Sequence, residues 1–182
     1  RLLAALLAVA ALFALAGCSK SDKADAAPKD YTKILHDARP DEDNEYYMIF
    51  SPGEDGKFTA QYGYSDSYDA AQLDEEIRNM LLPLLNLEED MYTDFAASVS
   101  GMMVQSYGIA IVKPAEGKQQ AVSEALDAYV QSQMQSMEHY LEDQYQIAAS
   151  SHISTAPTGE VILVCCENPE AVMSAIKTAL AA

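Results

Sequence analysis

The chain has 182 residues, the size of one domain once a targeting segment is set aside. Its 11 Lys and Arg against 28 Asp and Glu give a formal charge of −17, and so negative a surface repels phosphate backbones and anionic headgroups, which excludes nucleic acid as a partner. The three cysteines, Cys18 alone and Cys165 beside Cys166, lack the spaced pairs of a zinc site or a redox motif and make no disulfide framework.

Residues 2 to 16, LLAALLAVAALFALA, form an unbroken apolar run that ends in Leu15-Ala16-Gly17-Cys18. The run is too short for a stop-transfer helix and has the length of a secretory h-region, with Arg1 as the remnant of a basic n-region. The small pair Ala16-Gly17 suits a signal peptidase, and with Cys18 behind it the four residues resemble a bacterial lipobox. That resemblance implies cleavage between Gly17 and Cys18, diacylglyceryl transfer to the Cys18 sulfur, and a cell-membrane location facing outside the cytoplasm, with the lipid as the membrane contact. Two or more acyl chains make such an anchor stable, at about 0.8 kcal/mol per buried methylene. Ser19 to Asp30, SKSDKADAAPKD, holds no large apolar residue and reads as a disordered tether. The chain thus divides into a leader (1–17), a lipidated cysteine with its tether (18–30) and one domain (31–182), made of an acidic Tyr-rich part (31–86) and a core part (87–182).

Within the domain, YTKILHDA (31–38) predicts two helical turns that Arg39-Pro40 ends. Next, EYYMIF and KFTAQYGY flank SPGEDG, whose Pro, Gly and Asp-Gly favour a turn, so this piece reads as a Tyr-rich β-hairpin. The spacing of Leu73, Ile77 and Leu81 predicts a helix that Pro83 kinks or stops, and a short helix is expected at Glu88 to Phe95. ASVSGMMVQSYGIAIV reads as two strands on either side of Gln105-Ser106, the second buried on both faces because Ile109 to Val112 leave no polar side. After a turn at Lys113 to Gly117, Val122, Leu126, Tyr129, Met134, Met137 and Leu141 mark one long helix. SHIST and EVILVCC form a final strand pair, and Asn168-Pro169-Glu170 opens the last helix with a cap, a first-turn Pro and an acid at the dipole's positive end.

The carboxy-terminal half is therefore ordered strand, strand, long helix, strand, strand, helix. The fold class this predicts is α+β, a mainly antiparallel sheet with helices packed on one face. From about Leu87 onward, GIAIVKPAEGKQQAVSEAL, then YLEDQYQIA, then an apolar strand and EN before the last helix resemble the domain of unknown function 4358 family of bacterial lipoproteins. ILHDARPDE is similar to the upstream part of some members. The resemblance implies a lipobox leader and an extracellular α+β domain, and it carries no catalytic motif.

Candidate chemistry concentrates in the acidic part. Between Asp41 and Ser98 there are 15 acids and only two cations, Lys57 and Arg78. A solvated acidic face is the simpler reading; a divalent-cation site or a surface for a cationic partner is the other. Asp41, Asp43 and Glu45 alternate as calcium ligands do, but Tyr46 stands where an EF-hand loop needs Gly. Tyr46, Tyr47, Tyr62, Tyr64 and Tyr68 either pack over the short helices or face outward, where rings beside carboxylates bind glycan or peptide. His139, with Glu138, Glu142 and Asp143 near it, is expected on an exposed helix side, and His36 and His152 have no recognisable partner. Adjacent strand residues Cys165 and Cys166 point to opposite faces as small hydrophobes. No cofactor and no catalytic residue is predicted. The function these features favour is a non-enzymatic, lipid-anchored binding or envelope-interaction module; the alternative is a ligand- or cation-binding sensor or solute-binding subunit that uses the Tyr-rich hairpin.

Overall fold

The computed structural model describes residues 28–182, so the leader, Gly17, Cys18 and most of the expected tether lie outside the described residues. Six strands form one antiparallel sheet in the order β2-β1-β3-β4-β6-β5. They are β1 (Ile49–Pro52), β2 (Phe58–Gln61), β3 (Tyr92–Val99), β4 (Gly108–Pro114), β5 (His152–Thr155) and β6 (Val161–Cys165). The α+β class and the carboxy-terminal element order are as the sequence predicts. A single sheet joins the acidic part to the core part, through the pairing of Phe50 with Ala97.

The helices, however, cover both faces of the sheet rather than one. On one face α5 (Gln119–Met137) and the α3 (Ala70–Glu76), π-turn (Ile77–Leu81) and α4 (Leu82–Leu84) run pack on Phe95, Ala97, Ala110, Val112 and Leu163. On the other, α1 (Tyr31–Ala38) and α7 (Pro169–Ala181) pack on Ala96, Ile109, Ile111, Ile162 and Val164. The cause is in the strands themselves. β4 and β6 are apolar at successive positions, so side chains on both faces need cover, and each fully buried Ile or Leu contributes about 2 kcal/mol once covered. Cys165 and Cys166 follow this alternation, one in each layer.

Three other elements depart from expectation. The helix expected at Glu88 to Phe95 gives way to a turn and the start of β3, because Phe95, Ala97 and Val99 pair along β4 and bury that side of the strand in the layer that holds α5. Gln105-Ser106 do lie between β3 and β4, but β3 already ends at Val99, so Gly101 to Val104 belong to the loop rather than to a strand, and Met102, Met103 and Val104 are exposed. The long helix stops at Met137, and α6 (Glu142–Ala149) begins after half-buried Leu141, with Glu142 and Asp143 in its first turn where the dipole favours them. Among the described residues no helix is long and apolar enough to cross a membrane.

The chain enters the domain beside the far end of α7, where the Lys29 ammonium donates to the Leu180 carbonyl. Tyr31 then anchors α1 by donating to buried Glu160, 3.0 Å away. In the opposite layer the Tyr129 ring lies flat against the start of β4 and its hydroxyl donates to the Tyr107 carbonyl at 2.8 Å. A Cβ at Gly108 would sit 2.6 Å from that hydroxyl oxygen and 2.7 Å from the ring, so the glycine that opens β4 is required by close approach.

Two outcomes are expected. Gly108→Ala should lower stability in urea denaturation by about 2 kcal/mol, and by clearly less in a Tyr129→Ala background; equal losses in both backgrounds would contradict the contact. Burial raises the phenols of Tyr31, Tyr107 and Tyr129 above their usual 10.0. Unfolded tyrosines ionise at that value while these folded ones cannot, so stability is full below it and is lost as pH climbs above it. The melting temperature should fall steeply above pH ~10, with these three ionising at 295 nm only as the chain unfolds; titration of every tyrosine before unfolding would refute this.

Candidate functional site

The acidic stretch after α1 folds as a helix, α2 (Asp41–Tyr46), with Asp41, Glu42 and Asp43 in its first turn. Helical rotation turns Asp43 away from Asp41 and Glu45: those two are exposed, while Asp43 is half-buried against the domain. Among the described residues no three His, Cys, Asp or Glu side chains gather as a metal site. Glu54 and Asp55 stand exposed in the β1–β2 turn, and Asp69 caps α3 through the Ala71 and Gln72 amides.

What holds α2 in place is Arg39, only 5% exposed. Its Nε donates to Asn44 Oδ1 at 2.6 Å, Nη1 to Ser98 Oγ at 2.7 Å and to the Tyr107 hydroxyl at 3.2 Å, and Nη2 to the Tyr47 carbonyl at 2.6 Å. The guanidinium thus ties the carboxy-terminal end of α2 to β3 and to the residue before β4. The Tyr47 ring in turn stacks on Tyr107 with centroids 3.8 Å apart.

The tyrosines flank the hairpin rather than ride on its strands. Gly63 opens a 3₁₀ turn (Gly63–Ser67) at φ +50°, and a Cβ there would lie 2.6 Å from the Tyr47–Met48 peptide, so only glycine lets the turn press against α2. Tyr62, just before it, sits at φ 68° and packs on His36 of α1, with ring centroids 4.2 Å apart. Tyr64 therefore swings toward α2, whereas Tyr62 and Tyr68 stay outside the cleft.

That cleft has a volume of about 580 Å³ and brings together Tyr46, Tyr47, Tyr64 and Asp43 of the predicted residues. Glu42 adds a carboxylate from α2, Glu167 another from the end of β6, and Gln105 and Ser106 come from the β3–β4 loop. Gln144 of α6 pins that loop by accepting the Ser106 N–H at 2.9 Å. Ser106 is 2% exposed, and among the described residues its hydroxyl has no partner, a rare state for a buried polar group. Burial raises the Asp43 carboxyl above the usual range, with Glu42 and Glu167 adding to the shift and the Tyr107 hydroxyl and Arg39 opposing it. Burial likewise raises the Tyr47 phenol, reinforced by Asp43, Tyr64 and Glu167.

The remaining candidates lie elsewhere. His139 is exposed, 3.9 Å from Glu138, and His36 lies 3.0 Å from Asp37 on the outer side of α1. His152 shares a shallow groove with Glu170 and Ser174 of α7. Burial pushes the Cys166 thiol up to about 11 and raises Cys165 too, so neither is a ready nucleophile. Sequence reasoning missed Arg39, Ser106, Tyr107, Gln144 and Glu167. The available signal for Arg39 was an isolated cation entering an acid-rich stretch; the others carried none.

Arg39→Ala should cost about 3 kcal/mol, because Ser98, Tyr107 and the Tyr47 carbonyl lose a buried donor together. Arg39→Lys should restore only part of it, since lysine lacks the planar five-donor fork. Urea denaturation measures both, and a change below about 0.5 kcal/mol for Arg39→Ala would remove the guanidinium from this role.

A family model described as Domain of unknown function (DUF4358) matches residues 65–166. The match starts upstream of Leu87 and stops before α7. It includes Gln105, Ser106, Tyr107 and Gln144 of the cleft and leaves out Glu42, Asp43, Tyr46 and Tyr47. No curated protein and no solved structure matches the chain. With more than half of its length matched, the chain belongs to the family described as Domain of unknown function (DUF4358).

Proposed function

We propose that the protein is a non-enzymatic ligand-capture module, held outside the cytoplasm by a lipid on Cys18, and that its binding site is the cleft under α2 rather than the face of the hairpin. One observation carries the reading: a concave site of about 580 Å³ in which four predicted residues converge beside a buried serine hydroxyl left without a partner. A site of this size suits a small molecule or the end of a longer one. Its chemistry is that of binding: carboxylates, phenols and amides surround a thiol whose burial keeps it protonated. The anchor is supported by the lipobox-like Leu15-Ala16-Gly17-Cys18 and the apolar run before it.

A second reading, capture of a protein partner, is favoured by Met102, Met103 and Val104, exposed at 57%, 86% and 63% on the loop that borders the cleft. Such an apolar run beside a cleft would extend the contact beyond one small group.

Expression in a bacterium that processes lipoproteins, with thermal-shift screening beside it, tests both parts. The parent should fractionate with membranes and become soluble on globomycin-independent loss of the lipid site in Cys18→Ala; a parent and variant that partition alike would refute the anchor. Thermal-shift screening of the full chain against amines, neutral sugars and peptides should raise the melting temperature for one class, and Tyr47→Ala should abolish the shift. A flat response to every class would refute capture at the cleft.

A further inference from the structure

The charge balance of the cleft narrows what it can hold. Glu42, Asp43 and Glu167 stand around it, and the nearest cation, Arg39, is 5% exposed with its guanidinium engaged by Asn44, Ser98, Tyr107 and the Tyr47 carbonyl. No donor fork is left for an anion, so phosphates, carboxylates and acidic sugars meet uncompensated repulsion. A bare divalent ion needs six or more oxygens in one shell, and among the described residues no group of three metal-ligating side chains forms. A neutral sugar could stack on the tyrosines but would bring no positive charge to the three carboxylates, although burial, with Glu42 and Glu167 adding to it, already disfavours the Asp43 anion.

A donor-rich cation meets each of these features at once. Tyr46 and Tyr64, 51% and 57% exposed, offer ring faces to a positive charge or to the carbon chain behind it. Ser106 contributes an acceptor that none of the described residues uses, although the residue is 2% exposed and lines the cleft. A primary ammonium carries three N–H donors, whereas a quaternary ammonium carries none and would leave that hydroxyl unpartnered. The volume, about 580 Å³, is far more than an ammonium fills, so the ligand brings a carbon skeleton with it.

We propose that the cleft binds the primary ammonium group of an organic amine, held by the Asp43 and Glu167 carboxylates and the Ser106 hydroxyl, with the attached chain lying against Tyr46, Tyr64 and Met102. The proposal rests on the reading of the cleft as the binding site. Asp43 then has a role that its cost to the empty protein makes intelligible. A carboxylate raised by burial destabilises the ligand-free fold at neutral pH, and an arriving ammonium offsets that.

Isothermal titration of the full chain in detergent with cadaverine, 1,5-pentanediol and the bis-trimethylammonium analogue of cadaverine tests it, with calcium chloride and N-acetylglucosamine as other classes. Cadaverine should saturate at one site, and the diol and the quaternary analogue should bind at least tenfold more weakly. Asp43→Asn should weaken cadaverine at least tenfold while keeping or raising the melting temperature of the free protein, and Ser106→Ala should weaken it severalfold. Equal binding of the diol, or an Asp43→Asn protein that binds as the parent does, overturns the ammonium assignment. Binding of N-acetylglucosamine alone, lost in Tyr47→Ala, would leave the cleft as the site and reject the amine; silence from all five probes rejects both.

Discussion

A guanidinium taken out of water must find an acceptor for nearly every N–H it carries, and Arg39 does so with four hydrogen bonds to three separate parts of the chain. Because those acceptors belong to α2, to β3 and to the residue before β4, the acidic segment cannot move relative to the sheet without stranding a buried charge. The Arg39 charge also favours the ionised form of Asp43, four residues on, but burial outweighs it. The Tyr47–Tyr107 stack, the placement of α2 and the wall of the cleft all follow from that constraint. A cleft wall built on loops and one-turn helices is usually soft; here it is fixed by one buried side chain.

The sheet supplies the other half of the rigidity. β4 is buried along both faces, so its backbone is held by β3 and β6 while helices clamp it from above and below. Tyr129 sits on Gly108 and bonds the carbonyl of Tyr107, so the long helix reaches through the core to the strand end that the cleft occupies. Stability and site geometry share these contacts, and a packing change in α5 is transmitted to Tyr107 by one residue.

Much of the fold was legible because its signals are local and repeated. Apolar runs at Ile109 to Val112 and Val161 to Cys166 gave the central strands, and the Asn168-Pro169-Glu170 start gave α7. The placement of helices on both faces was implicit in those same runs: a strand with no polar side needs two covers. The helix expected at Glu88 to Phe95 failed because three leading acids look like a helix start, whereas the pairing of Phe95 with Val112 is a long-range gain invisible in a short window. The site was half legible. Tyr46, Tyr47, Tyr64 and Asp43 stood out by type, but their meeting with Ser106 and Glu167 depends on contacts that span roughly forty to a hundred and twenty residues of chain and on a lone arginine that composition averages away.

The Lys29 contact with Leu180 sets a direction. α7 begins at the cleft, where Asn168 and Val172 line it, and its 13 residues carry it roughly 20 Å to the end at which the amino-terminal segment joins the domain. Entry point and cleft therefore occupy opposite poles of one helix. With an anchor at Cys18, a lipid-linked segment would join the domain a whole helix length away from the cleft, and attachment would leave the cleft lining untouched.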